Sequence, residues 1–158
     1  MTTFEPDYRH FESVMRNKCP ARLPLYEHIV SPQIMERVLG CSFAALEQGA
    51  ARDLDEYFRQ HVRFFREMTY DTVSYEVCLS EVLPGPIALC GGQGPIQSRA
   101  DFAAYPWSEL SGRYWAKARP CLDALVANLV PGMKAVGGVG NGVFELAEAK
   151  ETGDPGDR

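Results

Sequence analysis

Residues 134–145 read KAVGGVGNGVFE, an apolar strand pattern that runs into four glycines within six positions. A dinucleotide-binding loop needs glycines spaced GxGxxG and an acidic residue about 20 positions later, whereas the glycines here are spaced GGxGxG. The GK[ST] end of a Walker phosphate loop does not follow either. The stretch therefore predicts a strand whose end is built from glycine, either so that its backbone packs closely or so that bare backbone lines a ligand pocket.

Upstream of this strand, the sequence alternates between the two-residue period of strands and the 3.6-residue period of helices. Strand patterns begin near residues 22, 72 and 134, and helical patterns cover residues 8–18, 32–39, 53–68 and 111–129, with a shorter one that starts at Ser98. Such alternation is typical of a parallel sheet with helices packed on it. The sequence therefore predicts an α/β fold with about three parallel strands, too few to close a barrel.

Composition and charge argue against several classes of protein. The chain has 158 residues, 46% hydrophobic content and a net charge of −5, which predicts one globular domain without a basic surface for nucleic acid. The first residues lack the pattern of a signal peptide, and no apolar run has the length of a membrane span, so we expect a cytoplasmic protein. We expect one domain over residues 1–146 and a flexible tail over residues 147–158, where the composition becomes hydrophilic.

The cysteines and histidines do not have the spacing of a metal site. The five cysteines are widely separated without a CxxC pair, and the three histidines include no HxH or HExxH arrangement. We therefore expect no metal in this chain, and we expect most of the cysteines to be small buried side chains. His61 lies in the apolar stripe of the helical pattern over residues 53–68, so we expect it at the edge of the core.

The carboxyl ends of the predicted strands carry polar side chains, and ligands of parallel α/β folds bind at these ends. On the first strand, Tyr26 and His28 alternate with outward-facing leucines and face the interior, whereas Glu27 reaches a pocket only if the strand bends. On the second strand, Glu76 faces the interior. A buried carboxylate needs either a cationic partner or a functional use. Glu81 is the alternative if the strand ends earlier.

On the third strand, the glycine run offers bare backbone at Gly138 and an amide at Asn141, although asparagine is also a common turn residue. His28 suits acid–base work or anion binding near neutral pH, and a structural role beside the turn is the alternative. The strand-end hypothesis therefore has two groups of residues. It takes Glu76 and His28 as catalytic, and it takes Tyr26, Glu27, Gly138 and Asn141 as ligand-binding.

Four segments together resemble the N-terminal half of the uroporphyrinogen decarboxylase superfamily. They are RLPLYEHIVSP at 22–32, RFFREMTYDTVSYEV at 63–77, GGQGPIQSRADFAAYPW at 91–107 and MKAVGGVGNGVFE at 133–145. The resemblance covers about residues 8–146, and it depends on the order of these blocks and on GPI followed by RADFAAYPW. It implies part of a (β/α)8 TIM barrel that is not closed, and Glu76 falls nearest the aspartate that the decarboxylases place at the end of their second strand.

The resemblance also implies a class of chemistry. The family includes tetrapyrrole decarboxylases, which are lyases of porphyrin biosynthesis that remove acetate side-chain carboxyls without a cofactor. It also includes corrinoid- or cobalamin-dependent methyltransferases that use zinc, and in this alternative the zinc and corrinoid ligands lie outside this chain. The first expectation is therefore a carboxy-lyase without a cofactor, acting on a small anionic or tetrapyrrole-like ligand.

The sequence departs from the family at two points. The decarboxylases follow their first strand with an arginine-containing segment of the type RQAGR, where this chain has EHIVSP at 27–32. Arginine forks match carboxylates, so the replacement favours a divergent substrate. A full barrel needs at least about 200 residues, so we expect a truncated or frameshifted form. The alternative to an enzyme is a non-catalytic fragment or subunit, whose exposed sheet edge pairs with a second copy or with a partner that carries the C-terminal half.

Overall fold

The computed structural model describes residues 4–43, 46, 51–77, 94–139 and 142–145. The helices in these parts of the chain are α1 (Arg9–Met15), α2 (Pro32–Leu39), α3 (Ala51–Glu67), α4 (Arg99–Ala104) and α5 (Leu110–Asn128). A 3-10 turn over Trp107–Glu109 precedes α5, and the strands are β1 (Thr72–Ser74), β2 (Lys134–Val139) and β3 (Gly142–Glu145). Each predicted helix is confirmed, within a few residues of its expected bounds.

Local capping chemistry explains where the helices begin and end. α2 starts after Ser31 with Pro32 in its first turn, and it stops at Gly40, whose left-handed φ of 67° suits glycine. At the start of α4, the Ser98 hydroxyl accepts the Asp101 backbone N–H while the Asp101 carboxylate accepts the Ser98 backbone N–H. Within the described residues, no helix combines the length and the apolar character needed to cross a membrane.

The sheet is open and mixed. β1 pairs in parallel with β2, with Val73 opposite Ala135, so the predicted parallel arrangement is confirmed for these two strands. β2 then pairs antiparallel with β3, with Val139 opposite Gly142. Gly137 and Gly138 lie in β2, as expected, but Gly142 begins an antiparallel strand that the strand patterns do not predict. The sequence between the two strands, a glycine and an asparagine between apolar runs, is typical of a hairpin connection.

The predicted first strand, near residues 22–28, is wrong as a strand. Residues 23–27 have no strand assignment, and within the described residues the backbone over 23–30 makes no backbone–backbone hydrogen bond. Pro24 has no N–H to donate to a ladder. Leu23, Leu25 and Ile29 are 82%, 45% and 55% exposed, so the segment leaves apolar side chains uncovered.

The chain divides into two compact units. The first unit comprises Met1–Glu76 and Cys121–Arg158, and the second comprises Val77–Pro120. In the first unit, α2 packs against α3 and α3 packs against β1. Its largest buried side chains are Met35, Phe43, Phe58, Phe65, Val73 and Leu125. The domain bounds expected from the sequence stay predictions, since the tail over residues 147–158 lies outside the described residues.

A buried ion pair fixes the amino-terminal end of β1, which we call the closed end. The Asp71 carboxylate is fully buried, and Arg22 donates to both of its oxygens, with 2.7 Å from Nη1 to Oδ2. The Asp7 backbone N–H donates to the same carboxylate at 2.7 Å, and Arg22 Nη2 also donates to the Glu5 carbonyl at 3.2 Å. These bonds satisfy the buried charge and hold the start of segment 22–28 beside the start of β1.

Candidate functional site

A second contact joins segment 22–28, at its carboxyl end, to the residues that follow β1. His28 Nε2 lies 2.9 Å from Glu76 Oε2, six residues beyond Arg22 on one side and five beyond Asp71 on the other. Two side-chain contacts with nearly equal spacing along both chains require the segment and β1 to run side by side in the same direction. The segment therefore follows β1 without the hydrogen-bond ladder of a strand.

Three predicted site residues meet at this second contact, which we call the open end. The Tyr26 hydroxyl lies 3.3 Å from His28 Nδ1, so the imidazole stands between a phenol and a carboxylate. The His28 side chain is 47% exposed, whereas that of Glu76 is 16% exposed. The histidine is therefore accessible from solvent while its carboxylate partner is mostly covered.

Tyr26 is held by packing as well as by this polar contact. Its ring lies against Phe11 of α1, with the ring centroids 5.2 Å apart. Partial burial is the main cause that raises the Tyr26 pKa, and the negative charges of Glu76 and Glu27 raise it further. The phenol thus keeps its proton and stays able to donate or accept a hydrogen bond beside the imidazole.

The contacts of His28 determine which ring nitrogen carries a hydrogen. With Glu76 as a carboxylate, which only accepts, His28 Nε2 must be the donor. A neutral ring then has a bare Nδ1, which accepts the Tyr26 hydroxyl hydrogen. When the ring takes up a proton, Nδ1 becomes a donor to the Tyr26 oxygen, and the Tyr26 hydrogen is free to point away toward a ligand. Protonation of one group therefore changes what its neighbour offers.

The other predicted ligand-binding residues have a weaker connection to this site. Glu27 is exposed, and its charge adds to partial burial, the main cause, in raising the pKa of Tyr26 and of Tyr70. Gly138 lies in β2 opposite Val143 of β3, and none of the contacts described for Tyr26, His28 and Glu76 involves it. Asn141 and the alternative Glu81 lie outside the described residues.

His61 differs from its expected place at the edge of the core. It is only 4% exposed, and its Nε2 lies 2.9 Å from the Ser74 carbonyl oxygen. Burial lowers its pKa to about 4, so the ring is neutral at physiological pH. Its Nδ1 and the Ser74 hydroxyl are buried without a hydrogen-bond partner among the described residues. One signal for this is visible in the sequence, a histidine in an otherwise apolar stripe.

Two grooves on the first unit are poorer candidates for chemistry than the open end. One of about 530 Å³ lies at the closed end, where Arg22 and Asp7 are already engaged with Asp71 and Arg9. The other, of about 490 Å³, is lined by exposed arginines of α3, of which Arg59 and Arg63 have carboxylate partners. The side-chain contacts therefore favour the open end over both grooves.

No cluster that could bind a metal stands out in the part of the chain that the structure describes. No group of three or more histidine, cysteine, aspartate or glutamate side chains with that capacity is found there. The expectation that this chain holds no cofactor is not tested by this observation and stays a prediction.

Comparison with known proteins leaves the family open. Neither the protein-family models, nor the curated proteins, nor the solved structures include a match to this sequence. The resemblance to the uroporphyrinogen decarboxylase superfamily therefore has the support of the sequence blocks alone, and the function must be argued from the geometry of the open end.

Proposed function

We propose that the open end binds a small anionic ligand and moves protons to and from it, as part of a uroporphyrinogen decarboxylase-like barrel to which this chain contributes the first strands. The observation that carries the proposal is the placement of His28 between the Glu76 carboxylate, at 2.9 Å, and the Tyr26 hydroxyl, at 3.3 Å. A half-exposed imidazole with a fixed carboxylate on one nitrogen is an arrangement suited to general acid–base work. A cytoplasmic location belongs to the same proposal.

The positions of the hydrogens on His28 and Tyr26 favour binding of an anion at the open end. The protonated His28 ring carries positive charge, and it releases the Tyr26 hydrogen to donate outward. Both changes favour a ligand carboxylate at the open end, since charge-assisted hydrogen bonds are the stronger kind. A neutral ring offers neither, so ligand binding and proton uptake are linked.

The same groups suit decarboxylation of an acetate side chain. When the carbon–carbon bond breaks, carbon dioxide leaves and its electron pair stays on the methylene carbon, which must then take a proton. Tyr26 donates that proton to the carbon, and the protonated His28 ring replaces it on the phenol oxygen through the 3.3 Å contact. No redox partner is required by this sequence of bonds.

The barrel part of the proposal is supported by the direction of the chain. Segment 22–28 and β1 are joined at both ends by ion pairs with matching spacing, and β1 is parallel to β2. Three chain segments in one direction, two of them with polar side chains at their carboxyl ends, agree with the first strands of a parallel barrel. The antiparallel β3 has no counterpart in that expectation.

A second candidate function is that of a subunit that needs a partner chain. The exposed apolar side chains of segment 22–28, led by Leu23 at 82%, favour it, because such surface is costly to leave in water. The expected occupant is a second copy or a chain with the rest of a barrel. Light scattering that finds a monodisperse monomer at high concentration would contradict pairing with a second copy.

The experiment that tests the first proposal uses a porphyrin with many carboxylates as the probe. Binding of uroporphyrin is followed by its fluorescence, and release of carbon dioxide from the reduced form is followed separately. We expect His28→Gln and Glu76→Gln each to weaken binding by about 10-fold, the effect of losing one charge-assisted hydrogen bond. The matched control is His10→Gln, which removes a histidine 4.0 Å from the Asp7 carboxylate, away from the open end.

The outcomes separate the alternatives. Equal affinity for the unmodified chain and for both open-end variants would rule out this site as the ligand site. Binding without release of carbon dioxide would support the anion site and remove decarboxylation by the chain alone.

A further inference from the structure

The edge of β1 that faces away from β2 has a side chain as its hydrogen-bond partner. The Tyr75 backbone N–H donates to the Val136 carbonyl of β2 at 3.0 Å. Alternate residues of a strand direct their backbone groups to opposite sides, so the Ser74 carbonyl points away from β2. On that side a further strand would normally supply an N–H. Here His61 supplies it, with Nε2 at 2.9 Å from the Ser74 oxygen.

The rings around His61 fix its position. Tyr75 packs edge-on against both Phe58 and His61, with ring centroids 4.8 Å and 6.0 Å away. Tyr57 stacks on the other side of His61 at 6.0 Å. The imidazole therefore cannot turn to another acceptor without disturbing the aromatic core of α3 and the end of β1.

Burying a histidine at this position costs free energy of folding. One ring nitrogen has no partner among the described residues, and burial forces the ring to stay neutral, with a pKa lowered to about 4. A leucine or phenylalanine would fill the same volume without an unpaired polar atom. The compensating gain is the bond to the Ser74 carbonyl, which an apolar residue could not make.

We infer that His61 is a positioning residue, whose Nε2–H takes the place of a strand N–H at the edge of β1 away from β2 and so holds Glu76 in place against His28. Glu76 is two residues beyond the bonded carbonyl and directly follows Tyr75, whose ring packs against α3. The chain is thereby held to α3 at two successive residues, Ser74 through its backbone carbonyl and Tyr75 through its ring. The inference rests on the proposed function only in giving the Glu76–His28 pair a use.

The test uses the Tyr26 pKa to report the position of Glu76, because the Glu76 charge, after partial burial, raises that pKa. The chain is labelled with carbon-13 in its tyrosine rings, the Tyr26 resonance is assigned with Tyr26→Phe, and its pKa is measured by NMR titration. Glu76→Gln gives the reference shift for loss of the charge. His61→Phe keeps a ring but removes the donor, and we expect it to lower the Tyr26 pKa by most of that reference shift.

Two further variants separate positioning from general loss of packing. His61→Gln retains an N–H donor, and we expect it to lower the Tyr26 pKa by less than half of the reference shift. Phe64→Leu removes packing from a buried neighbouring position on α3, and we expect no change. A folded His61→Phe chain with the Tyr26 pKa of the unmodified protein would overturn the inference.

If His61→Phe does not fold, the unmodified chain still decides the matter. The His61 Nε2–H must then exchange with solvent much more slowly than the His28 Nε2–H, and fast exchange would overturn the bond to Ser74. None of these readouts uses a ligand. Failure of Glu76→Gln to affect porphyrin binding would therefore remove the proposed function and leave the positioning role standing.

Discussion

The closed end and the open end both join segment 22–28 to the chain around β1, but the first uses a guanidinium and the second an imidazole. At the closed end the Asp71 carboxylate is fully buried and accepts hydrogen bonds from Arg22 and from the Asp7 backbone N–H. At the open end the His28 ring is 47% exposed, and its proton pattern changes with its charge. A guanidinium does not release its proton near neutral pH, whereas an imidazole does. The difference teaches that one contact is shielded at its carboxylate and fixes the structure, while the other has a histidine that is accessible from solvent.

The largest expected effect comes from breaking the closed end. Asp71→Asn removes the charge that Arg22 faces and leaves an amide in a fully buried place. Loss of one partner of a fully buried ion pair costs about 3 to 5 kcal/mol of the free energy of unfolding. Because the Arg22 side chain is 37% exposed, we expect a smaller loss, about 2 to 3 kcal/mol. Urea denaturation followed by circular dichroism measures this change.

The matched variant for this experiment is at the open end. Glu76→Gln breaks a pair whose histidine is half exposed, so we expect it to cost less than about 1 kcal/mol. Equal losses in the two variants would contradict the distinction between a structural and a functional end.

A smaller effect is expected at Gly132, which supports the closed end from the turn that precedes β2. Its φ is +86°, and a Cβ there would collide with the Pro6 carbonyl, next to the Asp7 N–H that bonds Asp71. Gly132→Ala should therefore lower the free energy of unfolding by about 2 kcal/mol, again measured by urea denaturation. The control is Gly112→Ala within α5, where nothing lies within 4 Å of the added Cβ. It should raise stability by about 0.5 to 1 kcal/mol, and similar signs for the two variants would contradict the role of Gly132.

The sequence predicts the parts of this fold that depend on local chemistry. The cap at Ser31, the stop at Gly40 and the capping box of Ser98 and Asp101 are each determined by a few neighbouring residues. The side-chain period of two also predicts that Tyr75 faces the helices and Glu76 the other way, as the contacts to α3 and to His28 show. For the same reason His28 and Glu76 are predicted at one edge before any contact is known.

The parts that sequence reasoning missed depend on contacts between distant residues. Segment 22–28 has a strand pattern, yet a strand exists only with a ladder, and ion pairs hold the segment instead. The Arg22–Asp71 pair joins residues 49 positions apart. A histidine in an apolar stripe marks His61 in the sequence, but its bond to the Ser74 carbonyl has no sequence pattern. The antiparallel pairing of β2 with β3 also had a local signal, in the glycine and asparagine between two apolar runs.

The smallest expected effect sharpens the comparison at the open end, where a charge acts on a proton. Glu76→Gln removes one of the negative charges that raise the Tyr26 pKa above its ordinary value of 10.0, so the pKa should fall, and NMR titration of the tyrosine ring measures it. Because the folded pKa is raised, the stability that Tyr26 contributes is complete below pH 10 and is lost as the pH rises through the folded pKa. The variant should therefore lose less stability than the unmodified chain between pH 9 and pH 11, relative to its value at pH 8. An unchanged Tyr26 pKa would mean that Glu76 does not sit beside the Tyr26–His28 contact in solution, and the open end would then have no carboxylate.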